Sequence, residues 1–315
     1  MKTLLLPAEK GIVTAVDLLK QDEVVALPTE TVYGLAGNAF SPKAVASIFE
    51  AKQRPLTDPL IVHLLDTSWL NRVVTWTPEL KKLVAQLAEA FWPGPLTLLL
   101  PRAATIPDLV TAGLETVAVR IPAHPLFRKI LQQLDLPLAA PSANRFGCIS
   151  PTTAAAVQQE LDGKIPLIVD GGPCHHGLES TIVWPHGDSL QILRPGPITV
   201  EQLSSFGKIV TQSIPGKAPG SLKSHYAPRK KLSWYDASIL PSKEIGLLAF
   251  SKTREGFGVT EMLSPSGDLK EAAANLYGAL RRLDESTAIT LLVEPVPEEG
   301  IGCAIMDRLR RAVAK

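Results

Sequence analysis

Short apolar runs that end at proline alternate, along most of the chain, with longer stretches in which apolar residues recur every three or four positions. That alternation predicts strands interleaved with amphipathic helices. Val24 to Leu27 reads as a buried strand stopped by Pro28, and Leu60 to Val62 as a second. Ser41-Pro42 caps a helix whose stripe is Val45, Ile48 and Phe49, and Thr77-Pro78 opens another carrying Leu80, Leu83, Val84, Leu87 and Phe91. Strands follow at Leu96 to Leu100, Val117 to Ile121 and Leu138 to Ala140, and Ser150-Pro151 is expected to cap a helix running to about Leu161. Leu167 to Val169, Thr181 to Trp184 and Leu190 to Leu193 close the series, the last two flanking the hairpin signature Pro185-His186-Gly187-Asp188. Three strands in such close succession do not fit a simple βαβ repeat. The expected fold class is α/β, a twisted mixed sheet with helices packed on it.

The pattern lapses between Thr211 and Arg229, where Ser213 to Ser221 is rich in Pro, Gly and Ser. A new series then begins: strands at Leu232 to Tyr235, Ile245 to Phe250 and Ala288 to Val293, helices at Leu269 to Leu283 and Ile305 to Val313. The chain therefore divides into a catalytic-size domain over 1–210, a linker over 211–229 and a small Rossmann-like α/β domain over 230–315.

Composition narrows the function. A net charge of +1 argues against salt-driven binding to long nucleic acid, but not against a small basic pocket. Three widely spaced cysteines without a C-x-x-C pair, and the absence of a long apolar span, point to a reducing, cytoplasmic setting with no membrane association. The 27 prolines sit singly at element ends, where they stiffen loops.

Chemistry concentrates at those stiffened ends. Pro28-Thr29-Glu30-Thr31-Val32-Tyr33-Gly34-Leu35 places hydroxyls directly after a strand, where α/β sheets bind ligands. Lys52-Gln53-Arg54-Pro55 presents an ammonium and a guanidinium together, suited to a phosphate clamp or to a favourable helix end. Arg120 and Arg194 also stand just ahead of prolines at strand ends. Pro141-Ser142-Ala143-Asn144 offers close backbone approach with two polar side chains. Asp170-Gly171-Gly172 and Gly177-Leu178-Glu179-Ser180-Thr181 make a glycine-rich loop without the Lys and Ser/Thr of a P-loop. Cys174-His175-His176 is a poor zinc site, because three adjacent residues rarely converge on one ion.

In this order, and with Pro59 to His63, Trp92 to Thr97, Val119 to Pro122, Glu179 to Val183 and Leu193 to Gly196, these segments resemble the YrdC/Sua5 family, the threonylcarbamoyl-adenylate synthases. Pro219-Gly220 and His225-Tyr226-Ala227-Pro228 are similar to the longer, two-domain Sua5 type. The resemblance implies a nucleotidyltransferase that makes threonylcarbamoyl-AMP and pyrophosphate from L-threonine, bicarbonate or CO2, and ATP with Mg2+. The product would pass to the tRNA threonylcarbamoyl transferase complex, and weak tRNA or double-stranded RNA binding is conceivable. It implies that Lys52 and Arg54 carry catalysis at the phosphates, with Asp58, Thr116, Ser142, Asn144, Ser150, Arg194, His225 and Tyr226 completing the ATP site. Thr31, Tyr33, His63, Arg120, Ala140 and Ser180 would hold threonine, Arg120 through its carboxylate. No protein side chain is assigned to a metal. Asp58 departs from the asparagine common in the family, so it turns away, assists Mg2+ or pairs with Arg54. On this reading Lys52→Ala should abolish adenylate formation while barely moving the melting temperature. An RNA-binding module, a related carbamoyl-transfer domain and a ligase for another amino acid are the rival readings.

Overall fold

A computed structural model describes residues 2–211 and 225–314 of the chain. The first part comprises β1 (Leu4–Pro7), α1 (Ala8–Lys20), β2 (Val25–Leu27), β3 (Gly34–Asn38), α2 (Pro42–Lys52) and β4 (Ile61–His63). It continues with α3 (Pro78–Phe91), β5 (Leu96–Pro101), α4 (Asp108–Thr111), β6 (Thr116–Arg120), α5 (Pro125–Leu134) and β7 (Leu138–Ala139). Then come α6 (Ala154–Leu161), β8 (Leu167–Asp170), β9 (Thr181–His186), β10 (Ser189–Arg194), α7 (Val200–Leu203) and β11 (Lys208–Val210). These strands form one mixed sheet in the order β1-β8-β2-β3-β7-β4-β6-β5-β9-β10-β11.

Past the linker, β12 (Lys231–Trp234), β13 (Ile245–Ala249), β14 (Val259–Met262), α8 (Leu269–Glu285), β15 (Thr290–Val293) and α9 (Gly302–Val313) build a second sheet, β12-β15-β13-β14. All its pairings are parallel, as the alternation of strands and helices leads one to expect. Most of the linker segment, including Ser213 to Ser221 and Pro219-Gly220, lies outside the described residues.

The local rules hold where the caps are strong. Ser41 and Thr77 accept from the backbone N–H groups of Ala44 and Leu80, so α2 and α3 start where the sequence indicates. The β9–β10 hairpin turns through Gly187 at φ +56°. Ser150-Pro151 does not cap a helix. Thr153 does, accepting from Ala156, because the Pro151 carbonyl is taken by the Tyr33 N–H at 2.9 Å and that tie pulls the segment onto the Thr29–Tyr33 loop. Strand β3, which carries no strand signature of its own, exists because Gly34 to Asn38 pairs on both sides, with β2 and β7.

The two sheets share a core. Val32, Ile149, Leu178 and Tyr226 pack with Ala272, Ala273, Leu276 and Tyr277 of α8 in one buried cluster. Gly177, at φ +69°, makes that approach possible: a Cβ there would stand 2.5 Å from the Ala273 carbonyl oxygen and 2.5 Å from the Ala274 Cα. Its glycine serves helix docking rather than phosphate contact.

Candidate functional site

Strand ends β4 and β6, the Pro28–Gly34 loop, the Ala140–Ser142 turn and the β9–β10 edges enclose a recess. Thr29, Thr31, Val32, Gly34, Arg54, Ile61, His63 and Arg120 line it, together with Ala140, Pro141, Ser142, Glu179, Ser180, Arg194, His225 and Tyr226. Parallel β4 and β6 are in register at His63 and Arg120, which brings those two side chains to one edge.

Each arginine is aimed by a fixed acceptor. Arg120 donates through Nη2 to Glu30 at 2.6 Å, through Nη1 to the Thr31 hydroxyl at 2.9 Å and through Nε to the Gly94 carbonyl at 3.2 Å. A guanidinium has five N–H groups, so two stay available to a ligand carboxylate. Arg194 donates to the Ser180 carbonyl through Nε and Nη2 (3.1 and 2.9 Å) and to the Ser180 hydroxyl at 3.1 Å. That hydroxyl also meets Thr97 at 2.7 Å.

Helix α2 ends at Lys52 because Gln53 adopts a left-handed backbone, φ 52°, which reverses the chain and returns Arg54 toward the recess. Arg54 donates to the carbonyls of Asp58 (3.0 Å) and Pro59 (2.8 Å) and pairs with the Asp58 carboxylate at 2.9 Å. Of the three roles open to Asp58 in the sequence, pairing with Arg54 is seen, inside the wall.

Lys52 occupies a different place from the one expected of it. It is 1% exposed, behind the Pro141–Asn144 turn, with its ammonium donating to the carbonyls of Ser142 at 2.5 Å and Asn144 at 2.6 Å. Burial, reinforced by the nearby Arg54 charge, lowers its pKa from 10.5 to about 7. Such a lysine shapes the turn as well as charging the pocket, and this geometry argues against the expectation that Lys52→Ala would barely move the melting temperature.

Other expectations also sort by position. Thr31, His63, Arg120, Ala140 and Ser180 line the recess, as do Arg54, Ser142, Arg194, His225 and Tyr226, and the Ser180–Arg194 hydrogen bond joins the two groups. Burial and the adjacent Arg120 charge lower His63 to about 3, so its imidazole is neutral and acts as a hydrogen-bonding and packing group, 5.1 Å from the Phe127 ring. Tyr33 is near, but its hydroxyl is spent on the Asp170–Gly172 loop, donating to the Gly172 carbonyl at 2.8 Å and accepting from the Gly171 N–H at 3.2 Å. Asn144 donates to the carbonyls of Arg145 and Cys148 at 2.8 and 2.9 Å, holding the turn that carries Ser142. Ser150 is buried beside Glu179. Thr116 is not brought to the site: it starts β6, which Arg120 ends, and it lines a separate groove with Thr77, Trp184 and Phe206.

His225 and Tyr226 are pinned between the two sheets. The His225 N–H donates to the Arg311 carbonyl at 3.2 Å, and the Ala227 N–H to Gly147 at 2.9 Å. Tyr226 holds a left-handed backbone, φ 63°, and its hydroxyl and the His225 Nδ1 have no partner among the described residues. Backbone strain and unmatched buried polar atoms make His225 and Tyr226 candidates for ligand contact.

Two carboxylates escaped the candidate set. Glu30 was visible as a charge between hydroxyls in an otherwise small and apolar loop. Glu179 directly precedes Ser180, and its partners Tyr277 and Arg308 lie beyond the linker. The one sequence signal for Arg308 is its place on the apolar stripe of α9 with Ile305, Leu309 and Ala312.

Comparison with known proteins bears directly on this constellation. A Sua5/YciO/YrdC family model, described as "Telomere recombination", matches residues 17–196, and one described as "Threonylcarbamoyl-AMP synthase, C-terminal domain" matches residues 198–314. The chain belongs to the Sua5/YrdC family. It is 41% identical to the threonylcarbamoyl-AMP synthase of Bacillus subtilis, over 96% of this chain and 92% of that protein. It is 37% identical to the enzyme of that name from Pyrococcus abyssi, over 95% and 92%. The crystal structure of P. abyssi Sua5 complexed with L-threonine superposes with a TM-score of 0.88 at 35% identity, covering 99% of this chain and 98% of that one. The two-sheet architecture is thus that of the Sua5 members of the family.

Proposed function

We propose that this chain is a nucleotidyltransferase that condenses L-threonine, bicarbonate or CO2, and ATP into threonylcarbamoyl-AMP, releasing pyrophosphate. The observation that carries the reading is one recess lined by three buried arginines, Arg54, Arg120 and Arg194. At the Arg120 end, the two spare N–H groups face a carboxylate, with the hydroxyls of Thr31 and Ser180 and the neutral His63 around the rest of a small hydroxy amino acid. At the other end, Arg54 and Arg194 face phosphate, and Ser142 and the unmatched His225 and Tyr226 offer polar contacts to the nucleoside.

The chemistry then needs no protein nucleophile. The threonine amine takes up CO2 to give a carbamate; a carbamate oxygen bonds to the α-phosphorus of ATP as the bond to the bridging oxygen breaks, and pyrophosphate leaves. Held ends and a matched field supply the acceleration. Arg54 and Arg194 neutralise phosphate charge directly, while Lys52 supports it from behind the Ser142 turn. Mg2+ fits as a passenger of the triphosphate, where it would offset phosphate charge. Among the described residues no three His, Cys, Asp or Glu side chains are grouped to hold an ion, and Glu179 in the recess wall is already engaged. The product would serve threonylcarbamoyl transfer to tRNA adenosine in the cytoplasm; among the described residues no helix is long and apolar enough to cross a membrane.

The test is incubation with ATP, Mg2+, bicarbonate and each of several amino acids, following pyrophosphate and the AMP adduct. Threonine-dependent adduct is expected, and chelation should stop it. Pyrophosphate release indifferent to threonine, or none, would sink the reading.

A further inference from the structure

Among the described side chains that are fully buried, the bulkiest is an arginine of the C-terminal layer, Arg308. Instead of reaching water, its guanidinium enters the back wall of the recess. Nε donates to Glu179 at 2.8 Å, Nη2 to the Pro195 carbonyl at 3.0 Å and Nη1 to Asp307 at 2.6 Å. Its charge lies 5.1 Å from the centre of the Tyr226 ring. Tyr277 of α8 donates its hydroxyl to the same Glu179 carboxylate, at 2.9 and 3.1 Å, and stacks with Tyr226, centroids 5.9 Å apart.

Position along the chain gives these contacts their meaning. Glu179 immediately precedes Ser180, the residue that orients Arg194, and Pro195 immediately follows Arg194. Arg308 therefore grips both arms of the Ser180–Arg194 pair from outside the N-terminal layer. Glu179 also lines the recess, where a free carboxylate would repel phosphate or draw the Arg194 guanidinium to itself.

We propose that Arg308 and Tyr277 are positioning residues for the nucleotide end of the recess: by holding Glu179 they keep Arg194 directed at phosphate. The proposal rests on the recess being the ATP and threonine site. Removing the Arg308 charge leaves Arg194 as the cation to which Glu179 turns, so nucleotide affinity falls. Glu30 holds Arg120 independently of Arg308, so the threonine end is disturbed only through Ser180, and less strongly.

The experiment uses the full chain and measures KM for each substrate, equilibrium ATP binding and Tm. Arg308→Met should raise KM and Kd for ATP by about tenfold or more, with the threonine KM moving about threefold at most. Adding Glu179→Gln to Arg308→Met should restore most of the ATP affinity, since it removes the misplaced charge. Arg310→Ala, on the exposed side of α9 where it pairs with Glu298, should behave as wild type. If both KM values rise together, Tm falls and Glu179→Gln gives no relief, Arg308 is only a docking residue and the proposal is overturned. Should Arg308→Met fail to fold, Tyr277→Phe keeps the ring and loses one donor to Glu179. A rise of about threefold in ATP KM is then expected, and no change overturns the idea. Wild-type protein that binds no ATP would overturn the synthase reading itself; normal wild-type turnover with unaffected variants would overturn only the role of Arg308.

Discussion

Replacing Lys52 with methionine keeps an unbranched stem in a fully buried site and deletes the ammonium. Two carbonyls, of Ser142 and Asn144, lose their donor. Each buried acceptor left unmet costs about 1–3 kcal/mol. Part of that cost is offset, because the ammonium is itself disfavoured by burial, as its lowered pKa of about 7 records. A net loss of ~1–3 kcal/mol corresponds to a fall in Tm of roughly 2–12 °C for a domain of this size. Adenylate formation should be lost as well, since the turn carrying Ser142 and the charge behind it go together.

The pH dependence has a definite sign. The folded-state pKa of Lys52 lies below its unfolded value of 10.5, so between about 7 and 10.5 the unfolded chain binds more protons. Stability from this group therefore rises with pH across that window, and the penalty for burying the ammonium is fully present below it. A neutral amine still donates to both carbonyls. The deficit of Lys52→Met relative to wild type should thus be larger at about pH 9 than at about pH 7 in thermal melts. Equal melting temperatures at both pH values, or a deficit that shrinks as pH rises, would refute the reasoning.

Other consequences follow from the same geometry. Glu30→Ala strips Arg120 of its buried partner, which should cost about 3–5 kcal/mol in denaturant melts and raise the threonine KM far more than the ATP KM; equal increases would contradict the placement. Burial alone would raise the Glu30 and Glu179 carboxyls, but Arg120 lowers the first, and Arg308 with Arg194 lowers the second to about 2. Their stabilisation is present above the unfolded value near 4.5 and lost as pH falls through the folded values, so Tm should drop steeply below about pH 4.5. A flat Tm profile from about pH 5 to 3 would count against these pairs. Gly196→Ala would set a Cβ 2.5 Å from the Thr181 nitrogen and 2.6 Å from the Glu179 carbonyl oxygen, all backbone. The Arg194 loop must move, so ATP binding should fall with a loss of about 1–3 kcal/mol, and wild-type calorimetric binding would disprove the tightness.

Much of the molecule is legible in its residues taken in order. Period and caps place α2, α3 and the β9–β10 hairpin, because Ser41, Thr77 and Gly187 act on their own neighbours. Prolines just past element ends flag Arg54 after a helix and Arg120 and Arg194 after strands, since a fixed φ beside a long cation is a local fact. The ordered motifs resemble one family, and the two matching family models span the same stretches. What the sequence leaves open concerns partners that are distant along the chain. Strand β3 exists only through its neighbours β2 and β7. Lys52 sits behind the wall rather than on it because the Ser142–Asn144 turn, 90 positions later, closes over its ammonium. Glu179 meets Arg308 across 129 residues only once the second sheet docks on the first. Residue types and spacings settle which groups carry charge and where the chain bends. Which buried charge faces which is decided by close packing of the two layers, for there an unpaired ion costs more than any local preference can return.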